Sequence, residues 1–167
     1  MIRAARVTDV AALRAIERAA GEPFRAIGLD VVADDEPPPA ALLAAYVAAG
    51  RAWVDERGGR PVGYLIAEVV DGCAHVEQVS VLPSERGRRI GEGLVEHLAG
   101  WARDRGLPAL TLTTYRDVPW NGPHWVRLGF RELVVLGPGL RAIREQEAAR
   151  GLDVWPRLAM RRELAGS

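Results

Sequence analysis

The fold is decided by the stretch Glu77–Gly91, which reads EQVSVLPSERGRRIG. Its first half alternates and is rich in β-branched residues, which is typical of a strand. A turn rich in glycine and arginine follows Pro83. From Ile90 onward apolar residues recur at helical spacing, at Leu94, Leu98 and Trp101. The stretch therefore predicts a strand, a tight basic turn and an amphipathic helix.

A helix that begins directly after such a turn is a candidate anion site. Its first N–H groups have no partner within the helix and carry the positive end of the helix dipole, so they suit a phosphate or pyrophosphate. Gly87 and Gly91 would allow close approach to the backbone, and Arg86, Arg88 and Arg89 supply positive charge. A solvated basic turn is the plain alternative, because the pattern is neither a Walker A loop nor a Rossmann fingerprint. The residues alone leave both open.

Glu77 is the second candidate. In a regular strand its side chain would share a face with His75, Val79 and Val81. A carboxylate among apolar neighbours would be partly desolvated, which raises its pKa and suits a general base. A paired structural carboxylate is the alternative, and periodicity alone favours that alternative.

The third feature is the segment Asp117–Phe130, which reads DVPWNGPHWVRLGF. Two tryptophans, an asparagine and a histidine crowd together after a predicted strand, where binding residues are often found. Aromatic residues at this density nevertheless belong more often to a core than to a cofactor site. The chain's three histidines show no metal-ligand spacing, so we expect no metal site.

Length and composition limit the class of protein. A chain of 167 residues with 49% hydrophobic residues fits one domain, residues 1–167, with a sizeable core. The 22 basic residues balance 22 acidic ones, which gives no whole-protein attraction to nucleic acid or to a membrane surface. All of the basic residues are arginine, so chemistry that needs a Schiff-base lysine or a P-loop lysine is excluded.

Cysteine use and hydropathy predict a location. Cys73 is the only cysteine, so an internal disulfide is excluded and a reducing compartment is the natural expectation. No signal-peptide pattern and no run of about 18 apolar residues occurs. We therefore expect a cytoplasmic domain.

Periodicity and turn residues order the remaining elements. The predicted succession is β-α-α-β-β-β-α-β-α-β-α-β, which indicates an α/β or α+β domain with a mixed sheet covered by helices. The predicted strands lie at 2–5, 51–56, 61–70, 74–82, 109–115, 130–136 and 158–164. Besides the helix that begins at Ile90, helices are predicted from Thr8-Asp9 to 21, at 40–50, from 121 and at 140–149. A proline-rich loop at 34–39 separates the first two of these helices.

Three motifs in this order resemble the GNAT superfamily of acyl-CoA-dependent N-acetyltransferases. They are Glu77–Pro83, Arg86–Gly91 with Leu94, and Asn121 followed by Leu128-Gly129-Phe130. The similarity is collinear over nearly the whole chain and includes the opening strand and the helix start at Thr8-Asp9. It implies a mixed, mostly antiparallel central sheet with splayed central strands and helices on both faces. It also implies an N-acetyltransferase that uses acetyl-CoA as co-substrate and needs no metal.

The resemblance implies a role for each matched position. The turn of Arg86, Gly87, Arg88, Arg89, Ile90 and Gly91 would bind the phosphates of coenzyme A. The backbone of Val79 and Val81 would pair with the pantetheine arm, which Asn121 would also contact. Glu77 falls where many members keep a water-linked general base. The partner would be a small-molecule or peptide amine; the oligomeric state stays open, a homodimer included.

Two positions depart from the family pattern. Arg89 stands where the turn usually has its inner glycine, and Trp125 stands where many members have a tyrosine that protonates the departing thiolate. An indole N–H is no usable acid, but a thiol pKa of about 8.5 makes thiolate a tolerable leaving group. The departures keep a second hypothesis open, a catalytically silent acyl-CoA-binding or sensor domain. A nucleic-acid-binding module is a poor third, because the charge is balanced and the turn is short.

Overall fold

The computed structural model describes residues 1–165, in which seven strands form one sheet in the order β1-β2-β3-β4-β5-β7-β6. The helices of these residues are α1 (Val10–Gly21), α2 (Asp30–Ala33), α3 (Ala40–Ala48), α4 (Ile90–Asp104), α5 (Gly122–Arg127) and α6 (Pro138–Ala149). The strands are β1 (Ile2–Ala4), β2 (Ala52–Arg57), β3 (Arg60–Val70), β4 (Cys73–Val81), β5 (Ala109–Tyr115), β6 (Arg131–Glu132) and β7 (Arg157–Glu163). The predicted fold class is confirmed: the sheet is mixed and mostly antiparallel.

The ladder between the two central strands of the sheet is short. Strands β4 and β5 are parallel, and their ladder joins Ala74 to Leu110 and His75 to Thr111. In contrast, β5 pairs with β7 along its whole length, from Ala109–Glu163 to Tyr115–Arg157. The splay of the central strands that the resemblance implied stays a prediction.

The chain divides into two compact units, and the first contains residues 1–68 and 76–97. Its core is built by the apolar face of α1, which packs with α3 on strand β3. The predicted helical spacing is confirmed here, since Leu13 and Ile16 are buried beside Leu43, Tyr64 and Ile66. Burial of such side chains contributes about 1.5–3 kcal/mol each.

An ion cluster fixes the start of the first unit. The Arg3 guanidinium donates to the buried carboxylate of Asp9 at 2.8 Å and to Glu56 at 3.1 Å. The Asp9 carboxylate also accepts the Arg6 backbone N–H at 2.7 Å, which caps the short 3-10 turn before α1. The hydrogen bond from Arg3 lowers the pKa of Asp9, so the carboxylate stays ionised.

The second unit contains residues 69–75 and the described residues from 98 on. A half-buried carboxylate, Glu147 of α6, accepts hydrogen bonds from Thr113 of β5 at 2.7 Å and from Arg157 of β7 at 2.9 Å. Burial alone would raise the pKa of Glu147, but the Arg157 charge and three hydrogen bonds lower it. The network therefore ties α6 to both strands.

Some predicted boundaries are wrong. The strand expected at 130–136 is shorter and contains only Arg131–Glu132. The Leu133 N–H beyond it still donates to the Ala159 carbonyl at 2.9 Å. Val134 and Val135 are 81% and 83% exposed, so this apolar run does not add to the edge of the sheet. Between α1 and α3 the chain forms a 3-10 helix at Glu22–Ile27 and the short α2, which the sequence did not indicate.

Candidate functional site

The basic turn leads directly into the first residue of α4. Residues 86–89 are exposed, whereas Ile90 is buried and Gly91 is partly buried. The helix runs for 15 residues, so its free N–H groups carry a full helix dipole. Arg88 pairs with Glu85 at 3.2 Å, and Arg89 lies 3.9 Å from Glu92. The turn is therefore an exposed helix start with several positive side chains.

Packing against β3 holds this helix start in place. A Cβ on Gly63 would lie 2.8 Å from Cγ2 of Ile90 and 3.3 Å from the Ser80 carbonyl oxygen. Glycine at 63 thus lets Ile90 lie directly on the strand. This signal was missed in the sequence, because an isolated glycine in a strand has several explanations.

The departure at Arg89 has a conformational consequence. Arg89 has φ = 56°, in the left-handed region that glycine adopts without strain, and Gly87 in the same turn has φ = 82°. The position where the family usually has glycine therefore keeps the left-handed backbone in this chain. Arginine occupies it at a conformational cost.

No contact among the described residues requires glycine at position 91. Its φ is not positive, and a Cβ built there would meet only Cγ2 of Val81 within 4 Å, at an ordinary 3.7 Å. Outside its own helix backbone and chain neighbours, no other atom of the described residues lies within 4 Å of that Cβ. Such a glycine fits a helix start whose backbone is approached by a ligand.

Strand β4 does not pair regularly with β3. The two-residue turn Asp71-Gly72 sets a ladder in which Val62 would lie opposite Val81. Instead the Leu82 N–H donates to the Val62 carbonyl at 2.9 Å, and a Cβ on Gly63 would lie 3.3 Å from Cγ2 of Val81. One extra residue, a β-bulge, therefore lies in the chain between Cys73 and Leu82.

The structure corrects one prediction for this strand. The burial predicted for Glu77 is wrong: the side chain is exposed. Val79 and Val81 are partly buried.

A second carboxyl group, which the sequence reasoning missed, lies beside strand β4. Glu17 of α1 accepts a hydrogen bond from the Tyr64 hydroxyl at 2.7 Å and from the Ser80 hydroxyl at 2.6 Å. Gln78 donates to Ser80 at 2.9 Å and so extends the network. Burial raises the pKa of Glu17, and the two hydroxyls oppose that rise only in part. The available signal was spacing: Glu17 follows Val10 and Leu13 on the apolar face of the helix.

Asn121 and Trp125 belong to the second unit. The Asn121 carbonyl accepts the Trp125 N–H at 2.9 Å, which starts α5. A Cβ on Gly122 would clash with the Arg116 carbonyl, so glycine is required for this close approach. Trp125 is buried, and its ring contacts Phe130 edge-on with centroids 5.6 Å apart.

The predicted site residues thus fall into two groups. The first unit holds Glu77, Val79, Val81 and the turn 86–91, and the structure adds Glu17 to them. The second unit holds Asn121 and Trp125. No group of three histidine, cysteine, aspartate or glutamate side chains suited to a metal ion occurs within residues 1–165. Over the same residues, no helix has the length and apolar character needed to cross a membrane.

Comparison with solved structures shows the same fold across the whole chain. An acetyltransferase of the GNAT family from Staphylococcus aureus Mu50 matches with a TM-score of 0.75 and 13% identity over 99% of each chain. PaiA N-acetyltransferase from Thermoplasma acidophilum, in complex with coenzyme A, gives 0.73 and 11% identity over 98% of each chain. The ribosomal-protein-S18-alanine N-acetyltransferase from Escherichia coli gives 0.70 and 18% identity over 100% of this chain and 95% of its own.

A family model covers most of the sequence. The model of the Acetyltransferase (GNAT) family matches residues 13–130, which include most of α1, strand β4, the basic turn, α4 and α5. By this match the chain belongs to the GNAT family of acetyltransferases.

Proposed function

We propose that the protein transfers an acetyl group from acetyl-CoA to a primary amine by direct attack. One observation carries the proposal: an exposed helix start, with free N–H groups and a glycine open to a ligand, directly follows a bulged strand. Acetyl-CoA has a pyrophosphate, which the helix start would bind, and an extended amide-bearing arm, which would pair with the strand. Membership of the family supports the same chemistry.

In this proposal the turn 86–91 binds the phosphates of coenzyme A. Backbone N–H groups at the start of α4 would donate to the pyrophosphate, with Arg86, Arg88 and Arg89 adding charge. The arm would then run beside β4, where the backbone of Val79 and Val81 lies beyond the short ladder with β5. Asn121 would contact the same arm, and Trp125 would lie near its sulfur end.

Glu77 is assigned to the first proton transfer. A primary amine reaches the site mainly as ammonium and must lose one proton before its nitrogen can attack. The exposed carboxylate of Glu77 can accept that proton through a water molecule and release it to solvent. Nitrogen then attacks the thioester carbonyl carbon, and backbone N–H groups would stabilise the resulting oxyanion.

The sulfur leaves without an acid at residue 125. With a thiol pKa of about 8.5, the departing thiolate needs only partial help, and general acids contribute typically about 10²–10⁴-fold. Trp125 therefore does not exclude turnover.

A silent acyl-CoA-binding domain is the second candidate. It is favoured by the burial of Trp125 against Phe130, which makes the indole part of the core, and by the substitution at Arg89. Such a domain would bind acetyl-CoA but would not transfer the acetyl group.

The test combines a binding titration with thiol release. Calorimetry with acetyl-CoA should show binding, and an amine panel should accelerate release of free coenzyme A. The panel should include polyamines, amino acids and short peptides, since relatives include an enzyme that acts on the alanine of a ribosomal protein. Binding without amine-dependent thiol release would favour the silent domain. An absence of both would remove the proposal.

A further inference from the structure

Glu17 is a carboxyl group in a position where a helix normally presents an apolar side chain. It lies on the face of α1 that packs on β3, among Leu13, Ile16 and Tyr64. Glu17 is partly buried, and a carboxylate removed from water disfavours folding unless hydrogen bonds compensate for lost hydration. A carboxyl group on this face of α1 suggests a role in chemistry rather than in packing.

Its two oxygens have different surroundings. Tyr64 of β3 and Ser80 of β4 both donate to Oε2, which fixes the carboxyl group between two strands. Oε1 accepts no hydrogen bond from a residue within 1–165. Two hydroxyls therefore anchor one oxygen, and the other has no protein donor within those residues.

Ser80 places this carboxyl group beside the proposed acyl-CoA arm. It stands between Val79 and Val81, whose backbone the proposed function assigns to the arm. Because the Ser80 hydroxyl donates to Glu17 of α1, Glu17 reaches the strand at the same residue.

We propose that Glu17 is the proton acceptor of the bond-forming step, an inference that rests on the proposed acyl transfer. Nitrogen forms a bond to the carbonyl carbon, the C–S bond breaks, and thiolate leaves with the bonding pair. The surplus proton on nitrogen passes to Oε1 of Glu17, directly or through one water, and then to solvent. Glu77 removes the first proton of the ammonium and Glu17 the second.

Burial suits Glu17 to this step. A general base works best when its pKa is close to the working pH, and burial raises the pKa of Glu17 toward that range. The groups that act on it are Tyr64 of β3, Ser80 of β4 and Asp35 of the α2–α3 connection, whose charge raises the pKa further. The packed helix α3 contributes one titratable group, Tyr46.

The test is the pH profile of thiol release with an amine that is neutral across the assay range, so that neither its own ionisation nor deprotonation by Glu77 produces an acid limb. Glu17→Gln keeps the shape of the side chain and should lower kcat by about 10²–10⁴-fold and abolish the acid limb, while acetyl-CoA affinity stays unchanged. Tyr64→Phe and Ser80→Ala each remove a donor that favours the carboxylate. The acid limb should therefore move to higher pH by about one unit in each.

Tyr115→Phe is the matched control for Tyr64→Phe. It also removes a buried phenol, one that donates to the Leu152 carbonyl at 2.7 Å, and should leave the acid limb in place. An unmoved limb in both Tyr64→Phe and Ser80→Ala, or a retained limb in Glu17→Gln, would overturn the proposal for Glu17 alone. A wild-type protein that binds acetyl-CoA but acetylates no amine would instead remove the proposed function and this inference with it.

Discussion

Asp71 caps helix α6 from a distance of 68 residues along the chain. Its carboxylate accepts the Gly139 N–H at 2.8 Å and the Leu140 N–H at 3.0 Å. The two glycines of this helix start are required by the contact, because a Cβ on Gly137 or Gly139 would lie 2.7–2.8 Å from the Asp71 carboxylate oxygens. The tip of the β3–β4 hairpin is thereby joined to the start of α6.

Asp71→Ala should destabilise the protein by about 0.5–2 kcal/mol, the usual cost of losing a helix cap. Thermal unfolding checks the change, and Asp104→Ala, an exposed aspartate at the end of α4, is the control. Gly137→Ala should destabilise independently, since its methyl group would press on the same carboxylate. Equal melting temperatures for Asp71→Ala and wild type would show that the cap adds nothing.

Arg89→Gly should stabilise the folded state. It removes a left-handed non-glycine residue, which costs about 1–2 kcal/mol, and part of this gain is offset by the larger freedom of glycine in the unfolded chain. We expect a net gain of about 0.5–1 kcal/mol in denaturant unfolding. Arg88→Gly, without a left-handed backbone to relieve, should give no gain. A loss in Arg89→Gly would contradict the strain argument.

Gly91→Val should weaken acetyl-CoA binding by about tenfold or more, or about 1.4 kcal/mol, because the side chain fills the space beside the helix start. The protein itself has room for a Cβ at this position, so folding should be preserved. Gly100→Val on the same helix, where no atom lies within 4 Å, is the matched control. Calorimetry that gave Gly91→Val the wild-type affinity would refute the assignment of the phosphate site.

Glu77→Gln should lower turnover by about 10²–10⁴-fold with acetyl-CoA affinity nearly intact. The choice of acceptor separates its role from that of Glu17. An amine that is already neutral at the assay pH needs no first deprotonation, so it should restore much of the activity of Glu77→Gln and none of that of Glu17→Gln. If Glu77→Gln turns over ordinary amines at the wild-type rate, Glu77 is structural.

Trp125→Tyr and Trp125→Phe together isolate one hydroxyl group. Both replace a buried ring that contacts Phe130, so both should lose stability to a similar extent, about 1–3 kcal/mol. If Trp125 lies near the sulfur of acetyl-CoA, only the tyrosine variant should raise turnover, most at low pH. Equal rates in both variants would place residue 125 away from the leaving group.

The succession of elements could be predicted because each carries its own period and its own turn residues. The apolar face of α1, the Asp71-Gly72 turn and the strand–turn–helix stretch all belong to this class. The bulge in β4 could not be predicted, because a single extra residue leaves no mark in the alternation of the strand. It follows from the register with β3, where the Leu82 N–H donates to the Val62 carbonyl.

The candidate site was predictable where backbone conformation restricts the residue type. Gly87 and the turn around it are examples, since a left-handed backbone favours glycine. Glu17 was missed because its two hydrogen bonds come from partners on two distant strands. The exposure of Glu77 was mispredicted because the alternation of a strand does not show which of its residues other elements cover.

The contact between Gly63 and Ile90 limits what ionic strength can change in this protein. Ile90 is buried against the strand, so an apolar contact positions the first residue of α4. Added salt screens charges over about 10 Å at 0.1 M and leaves such a contact unaffected. The ion pairs Arg88–Glu85 and Arg89–Glu92 are screened together with a bound phosphate. A fall in affinity for a phosphate-bearing ligand with rising salt would therefore report weakened charge interactions in the turn, with the start of α4 held in place.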